Sequence, residues 1–392
     1  MALTIVDALL PDGSTANIRL EAGLVAAVGT ELTPGDELVQ AHGRLLLPAM
    51  AEAHAHLDKA FLAETVPNPT GDLIGACNAM ELHRDRITRA DTEARAERAA
   101  RLILSNGATV IRTHADVTLE NGLESAEALV AVRDRLRHLV DIQVFALSGW
   151  PTSTEAQRRL LLDAVSIGLD GVGGCPHLDD DPLTATDMLL EVAGESGLPL
   201  DLHTDETLDP TRFALPYLAE RVEATGFVHG VTASHCVSLG VQPVDVQRRV
   251  AERVAATGIS VVTLPSSNLF LQGREHQSAM PRALTAIRAL RDAGVNVAAG
   301  ADNLQDPFNL VGRGDCLETA ALMVMAGHQL PVDAYHSVSG AARAALGLQA
   351  AGVSVGDVAD LVLVPAASIR EAIAFGPRGR TVIRAGRVVA GD

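Results

Sequence analysis

Leu45-Leu46-Leu47-Pro48-Ala49-Met50 is an apolar run that leads almost directly into His54-Ala55-His56-Leu57-Asp58-Lys59. An apolar run of this length predicts a buried strand. Side chains alternate along a strand, so a His-x-His pair at its end places both imidazoles on one side. Two neutral ring nitrogens held this way suit a borderline cation such as zinc. The same arrangement recurs further along. His203-Thr204-Asp205-Glu206, Ser234-His235-Cys236 and Gly300-Ala301-Asp302-Asn303 each stand just beyond a strand-like apolar run. Four strand ends that offer ligands and acid/base groups describe a metal site at the mouth of a barrel.

Working outward, the pattern between residues 109 and 299 alternates. Strands are expected at 109–114, 142–147, 171–174, 198–202, 232–234, 259–264 and 295–299. Helices are expected at 124–140, 153–167, 183–196, 210–225, 243–257 and 280–293. Such alternation argues for a parallel sheet. With the strand before His54 the strands number eight, as in a closed (β/α)8 TIM barrel, whose chemistry sits at the strand C-terminal ends. The first ~48 residues read instead as short strands separated by turns such as Pro11-Asp12-Gly13-Ser14. Segments 360–365, 380–384 and 387–389 read alike. The expected organisation is therefore a small β-sandwich built from both termini (1–48 and 346–392) around a barrel (49–345).

Composition bounds the function. The 392 residues carry a net charge of -18 and are 47% hydrophobic. This acidity disfavours nucleic acid and anionic membranes, which demand clustered Lys and Arg. Lys59 is the only lysine among 31 basic residues. A lysine bridging two metals in mid-barrel is thus not expected. Cys77, Cys175, Cys236 and Cys316 are far apart, which excludes a Cys-rich zinc site by spacing and argues against a disulfide framework. No basic, apolar leader and no long apolar run is evident, so a cytoplasmic protein is expected.

The residue types have distinct tasks. His203 would add a third nitrogen to His54 and His56. Glu206 would stand over the activated water and carry its proton to the leaving nitrogen. His235 could bind a second metal or hydrogen-bond the developing oxyanion. Asp302 could ligate while accepting a proton. His114 and His177 also end strands and are read as supporting groups.

With His54-Ala55-His56-Leu57-Asp58, Arg112-Thr113-His114-Ala115-Asp116, His203-Thr204-Asp205-Glu206, Ala233-Ser234-His235, Leu271-Gln272-Gly273-Arg274 and Gly300-Ala301-Asp302-Asn303 together, the chain resembles the amidohydrolase superfamily over nearly its full length. Within it, the cytosine deaminase branch is the most similar. The resemblance implies one Zn2+ (or Fe2+) per chain on His54, His56, His203 and Asp302, with Glu206, His235 and Asp302 as the catalytic groups. It implies that water made acidic by the cation attacks an sp2 carbon of an amino-substituted nitrogen heterocycle, releasing ammonia. Release of an alkylamine from an N-alkylamino-triazine, or opening of a cyclic amide, at the same mononuclear site is the alternative. A non-catalytic binding barrel is a remote third. Two features depart from the branch. Ser148 stands where a glutamine would read the pyrimidine edge, and a hydroxyl lacks an amide's paired donor and acceptor. Asn303 replaces a second carboxylate. Lys59, Ser148, Trp150, Gln272, Asn303 and Phe308 are the residues expected to face the substrate, a small molecule. A homo-oligomer is compatible with this reading.

Overall fold

The computed structural model describes residues 2–391; Met1 and Asp392, the outermost residues of the two terminal segments, lie outside it. The chain first lays down β1 (Leu3–Leu9), β2 (Thr15–Glu21), β3 (Leu24–Gly29), β4 (Glu37–Gln40) and β5 (Leu45–Pro48). Eight further strands follow: β6 (Met50–Ala55), β7 (Ala108–Val117), β8 (Asp141–Ser148), β9 (Val172–Gly174), β10 (Leu200–Thr204), β11 (Val231–His235), β12 (Ser260–Thr263) and β13 (Val297–Ala299). The chain ends through β14 (Leu361–Val364), β15 (Thr381–Arg384) and β16 (Arg387–Ala390).

Strands β6 to β13 pair in sequence order, all parallel, as one eight-stranded sheet. Its two edges meet where His56 N–H donates to the Asp302 carbonyl (3.1 Å) and Asp302 N–H to the His54 carbonyl (2.9 Å). This is the (β/α)8 barrel. β1–β5 and β14–β16 form a second, mixed sheet. It has its own core of Leu3, Ile5, Ile18, Leu20, Leu46, Leu361, Leu363 and Ile383.

The opening apolar run divides between the two sheets. Leu45–Pro48 pairs antiparallel with β14, while Met50 begins the barrel. The Ala49 N–H donates to the Asp360 carbonyl and the Met50 N–H to the Gly107 carbonyl, so the handover costs no backbone hydrogen bond. Helices occupy much of 60–107 and 303–345, including Leu73–Leu82, Arg89–Ser105 and Cys316–Met325, where the sequence pattern predicts no element. The helix expected over 280–293 is confined to Ile287–Asp292. Pro281 and the left-handed Ala279 and Ala283 (φ 48° and 52°) break the preceding turns. Among the described residues no helix is long and apolar enough to cross a membrane.

Candidate metal centre and active site

Strand parity builds the centre. Arg112 and His114 on β7, Asp201 and His203 on β10, and Thr232 and Ser234 on β11 each lie two apart, on one side of their strand. His54 sits near the end of β6 and His56 one residue past it. All of these side chains are buried.

Four atoms converge. His203 Nε2 lies 3.1 Å from both His54 Nε2 and His56 Nε2. Asp302 Oδ1 lies 3.2 Å from His56 Nε2 and 3.7 Å from His54 Nε2. Burial, reinforced by the neighbouring imidazoles, pushes His54 and His203 well below the usual histidine range. They are neutral, the form that binds metal. One proton on His203 Nε2 can serve only one of its two nitrogen neighbours, so hydrogen bonding alone leaves lone pairs opposed. A cation satisfies all of them. Nitrogen ligands ~2.0–2.1 Å from a tetrahedral zinc stand roughly 3.3 Å from one another, close to the spacing seen. His54, His56 and His203 therefore fit a divalent metal, and Asp302 completes the cluster.

The acid/base groups stand beside it. Glu206 is 5% exposed and accepts from Asn268 Nδ2 at 3.2 Å. His235 Nδ1 lies 3.4 Å from Glu206 Oε1, and its Nε2, buried and without a hydrogen-bond partner among the described residues, lies 4.0 Å from Asp302 Oδ2. Burial, with Asp302 behind it, pushes the Glu206 carboxyl well above the carboxylate range, so that it can hold a proton. Burial pushes His235 down to about 4, which keeps it neutral. Asp205 plays a different part. Its two oxygens accept the N–H groups of Ala214 (2.8 Å) and Leu215 (2.9 Å), at the start of the helix Leu215–Thr225.

A cavity of about 210 Å³ opens onto the cluster, with His56, His203, Glu206, His235 and Asp302 in its wall. Lys59, Ser148, Trp150, Asn303 and Phe308 also line it. Lys59 is 4% exposed and bonded to Asp116 Oδ1 at 2.7 Å, with Asp58 at 3.4 Å. Burial opposes its charge, but the two carboxylates outweigh it and hold the amine protonated. Ser148 spends its hydroxyl proton on the Gly149 carbonyl (3.1 Å). Asn303 bridges Ser267 (3.2 Å) and Asp306 (2.9 Å). Gln272 stands apart: it is not on the cavity wall, and its amide atoms are buried without hydrogen-bond partners among the described residues. His177 Nδ1 lies 3.1 Å from the His203 carbonyl, and the His114 ring stacks 4.1 Å from that of His54. Both occupy supporting places behind the cluster.

Several contributors carry no clear signal in the sequence. Leu73, Cys77 and Met80 of the helix Leu73–Leu82, together with Cys175, line the cavity. Burial pushes the Cys77 thiol up to about 12, which makes it a poor nucleophile. Asn268 follows β12 in Pro265-Ser266-Ser267-Asn268. A cluster of polar residues beyond a barrel strand is a signal that could have exposed it.

A barrel with a buried His3Asp cluster at its strand ends, opening onto a cavity with a protonatable glutamate, defines a metal-dependent hydrolase. The model of the amidohydrolase family matches residues 64–390, and the chain belongs to that family, hydrolases of carbon–nitrogen bonds. A pterin deaminase of Rhizobium rhizogenes is 32% identical over 385 residues, which cover 95% of this chain and 87% of that one. Among solved structures, 5-methylcytosine deaminase from Klebsiella pneumoniae, liganded with 5-fluorocytosine, superposes with a TM-score of 0.91 at 28% identity, covering 99% of this chain and 97% of that one. N-isopropylammelide isopropylaminohydrolase from Burkholderia multivorans superposes with a TM-score of 0.86 at 31% identity, covering 100% and 98%.

Proposed function

We propose that this protein is a mononuclear metal-dependent deaminase of an amino-substituted nitrogen heterocycle. The carrying observation is the convergence of His203 Nε2 on His54 Nε2 and His56 Nε2, each at 3.1 Å, and of Asp302 Oδ1 on the same two nitrogens at 3.7 and 3.2 Å, with Glu206 in the same cavity wall. His54, His56, His203 and Asp302 would hold one Zn2+ or Fe2+. Such a cation, when bound, makes a water available as a nucleophile near neutral pH. Glu206 takes up a proton on its carboxylate and returns it to the departing nitrogen. Asn268 holds the Glu206 carboxyl in place through its 3.2 Å hydrogen bond. His235 lines the cavity, and its Nε2, without a hydrogen-bond partner among the described residues, polarises the substrate carbon–nitrogen unit. Leu73, Met80, Leu147, Leu178 and Phe308 supply apolar surface suited to a flat ring, while Lys59 and Asn303 supply polar contacts.

The likeness to the pterin deaminase and to 5-methylcytosine deaminase supports ammonia as the leaving group. The likeness to N-isopropylammelide isopropylaminohydrolase sustains a second reading, release of an alkylamine by the same residues. The cytoplasm suits a small-molecule deaminase of this kind. The test is a panel of amino-pyrimidines, pterins, amino-triazines and creatinine-like rings, with ammonia and amines both measured, on protein of known metal content. Ammonia release from at least one ring supports the proposal. Amine release alone shifts it to the second reading, and no turnover with metal bound refutes both.

A further inference from the structure

Arg112 and His114 form a motif that the proposed chemistry leaves unused, and Arg112 heads a chain of hydrogen bonds beneath the metal centre. Arg112 Nη1 donates to Asp201 Oδ2 at 2.9 Å and to Thr232 Oγ1 at 3.1 Å, and its Nε donates to Gln143 Oε1 at 3.0 Å. Ser234 Oγ lies 2.8 Å from the other carboxylate oxygen, Asp201 Oδ1, and 3.0 Å from His54 Nδ1. Arg112 is 3% exposed, and Asp201, Ser234 and His54 are each 0% exposed.

The protons in this chain have one consistent order. Both Asp201 oxygens are placed as acceptors: Arg112 Nη1, which can only donate, faces Oδ2 at 2.9 Å, and the Ser234 hydroxyl faces Oδ1 at 2.8 Å. The single hydroxyl proton of Ser234 must then go to Asp201 Oδ1. Were it turned to His54 instead, oxygen lone pairs would face each other across 2.8 Å in a buried interior. Having donated, Ser234 Oγ can only accept from His54, so His54 Nδ1 carries the hydrogen. A neutral imidazole has one N–H, and the His54 Nε2 lone pair is therefore bare and faces His203 Nε2 and Asp302.

We propose that Arg112, Asp201 and Ser234 form a relay that fixes His54 as its Nδ1–H tautomer and so readies its Nε2 for the metal. They are positioning residues, and the assignment rests on the reading of His54 as a metal ligand. His114 packs against the His54 ring at 4.1 Å; its own nitrogens have no hydrogen-bond partner among the described residues.

The test uses full-length protein stripped of metal. Zinc affinity is measured by chelator competition for wild type, Ser234→Ala, Ser234→Thr and His54→Ala, alongside the thermal unfolding of each metal-free form. Ser234→Ala is expected to bind zinc roughly 10- to 100-fold more weakly, the scale of a lost ligand-orienting partner. Its metal-free unfolding temperature should fall, because Asp201 Oδ1 loses a buried donor, so affinities are compared at a temperature where each metal-free form is shown to be folded. Ser234→Thr, which keeps the hydroxyl, should recover most of the affinity. In wild type, 15N spectra of labelled histidine should show His54 protonated at Nδ1, and this reading stands alone if the Ser234 variants do not fold. A bare Nδ1 in wild type, or a folded Ser234→Ala that binds zinc like wild type while His54→Ala does not, overturns the relay and leaves the metal centre intact. Wild-type zinc affinity in His54→Ala overturns the metal assignment itself, and the relay with it.

Discussion

Replacing Glu206 by Gln removes one ionisable proton and little else. The amide is isosteric, and its oxygen can still accept from Asn268 Nδ2, now at 3.2 Å from Glu206 Oε1. Glu206 is not among the atoms that converge as candidate ligands, so the metal should stay. What is lost is a carboxyl whose hold on a proton burial and Asp302 strengthen, beside the cavity. Two neighbouring acids are already committed. Asp205 has both oxygens on backbone N–H groups at 2.8 and 2.9 Å, and Asp116 is bound to Lys59 at 2.7 Å. Without Glu206, the general acid/base contribution of ~10²–10⁴-fold should vanish from kcat, about 3–5 kcal/mol of barrier. The assay is steady-state ammonia release by Glu206→Gln, with metal content and unfolding temperature measured on the same sample. A folded, metal-replete variant with kcat within about tenfold of wild type would refute the role of Glu206.

Asp205→Asn should show the opposite profile. An amide N–H would face a backbone N–H, so stability should fall by about 1–3 kcal/mol in denaturant titrations while kcat of the folded enzyme changes little. Lys59→Met strands Asp58 and Asp116, and the loss of a buried partner should cost about 3–5 kcal/mol in the same titrations; an unchanged midpoint would show that the pair carries little. Cytosine should be a poor substrate, because Ser148, its proton already spent on Gly149, cannot match an amide. A kcat/KM for cytosine near ~10⁵ M⁻¹s⁻¹, within the usual range of an enzyme on its own substrate, would contradict that inference.

The barrel was legible because its strands are buried on both faces and read as apolar runs, and because polar residues at strand ends stand out against them. His54, His56, His203, His235 and Asp302 all follow such runs, and the structure brings them together. Other elements were hidden for physical reasons. The strand Glu37–Gln40 is four residues long and mostly exposed, so no burial pattern marks it. The helix Leu73–Leu82 has no polar face to set a period, yet it roofs the cavity. Gln272, expected at the substrate from its place in a motif, lies off the cavity wall. The relay through Asp201 and Ser234 was invisible for another reason: it joins β7, β10 and β11 across the barrel interior, and sequence spacing carries no trace of such a contact.

The central claim is a single metal ion that enables deamination. Its most direct test is to titrate Zn2+ or Fe2+ into metal-free protein while following ammonia release from the best ring of the substrate panel. The account predicts that activity rises linearly and levels at one equivalent per chain, and that His54→Ala stays inactive at that equivalence. A plateau at two equivalents, or full activity without added metal in protein shown to be metal-free, would contradict it.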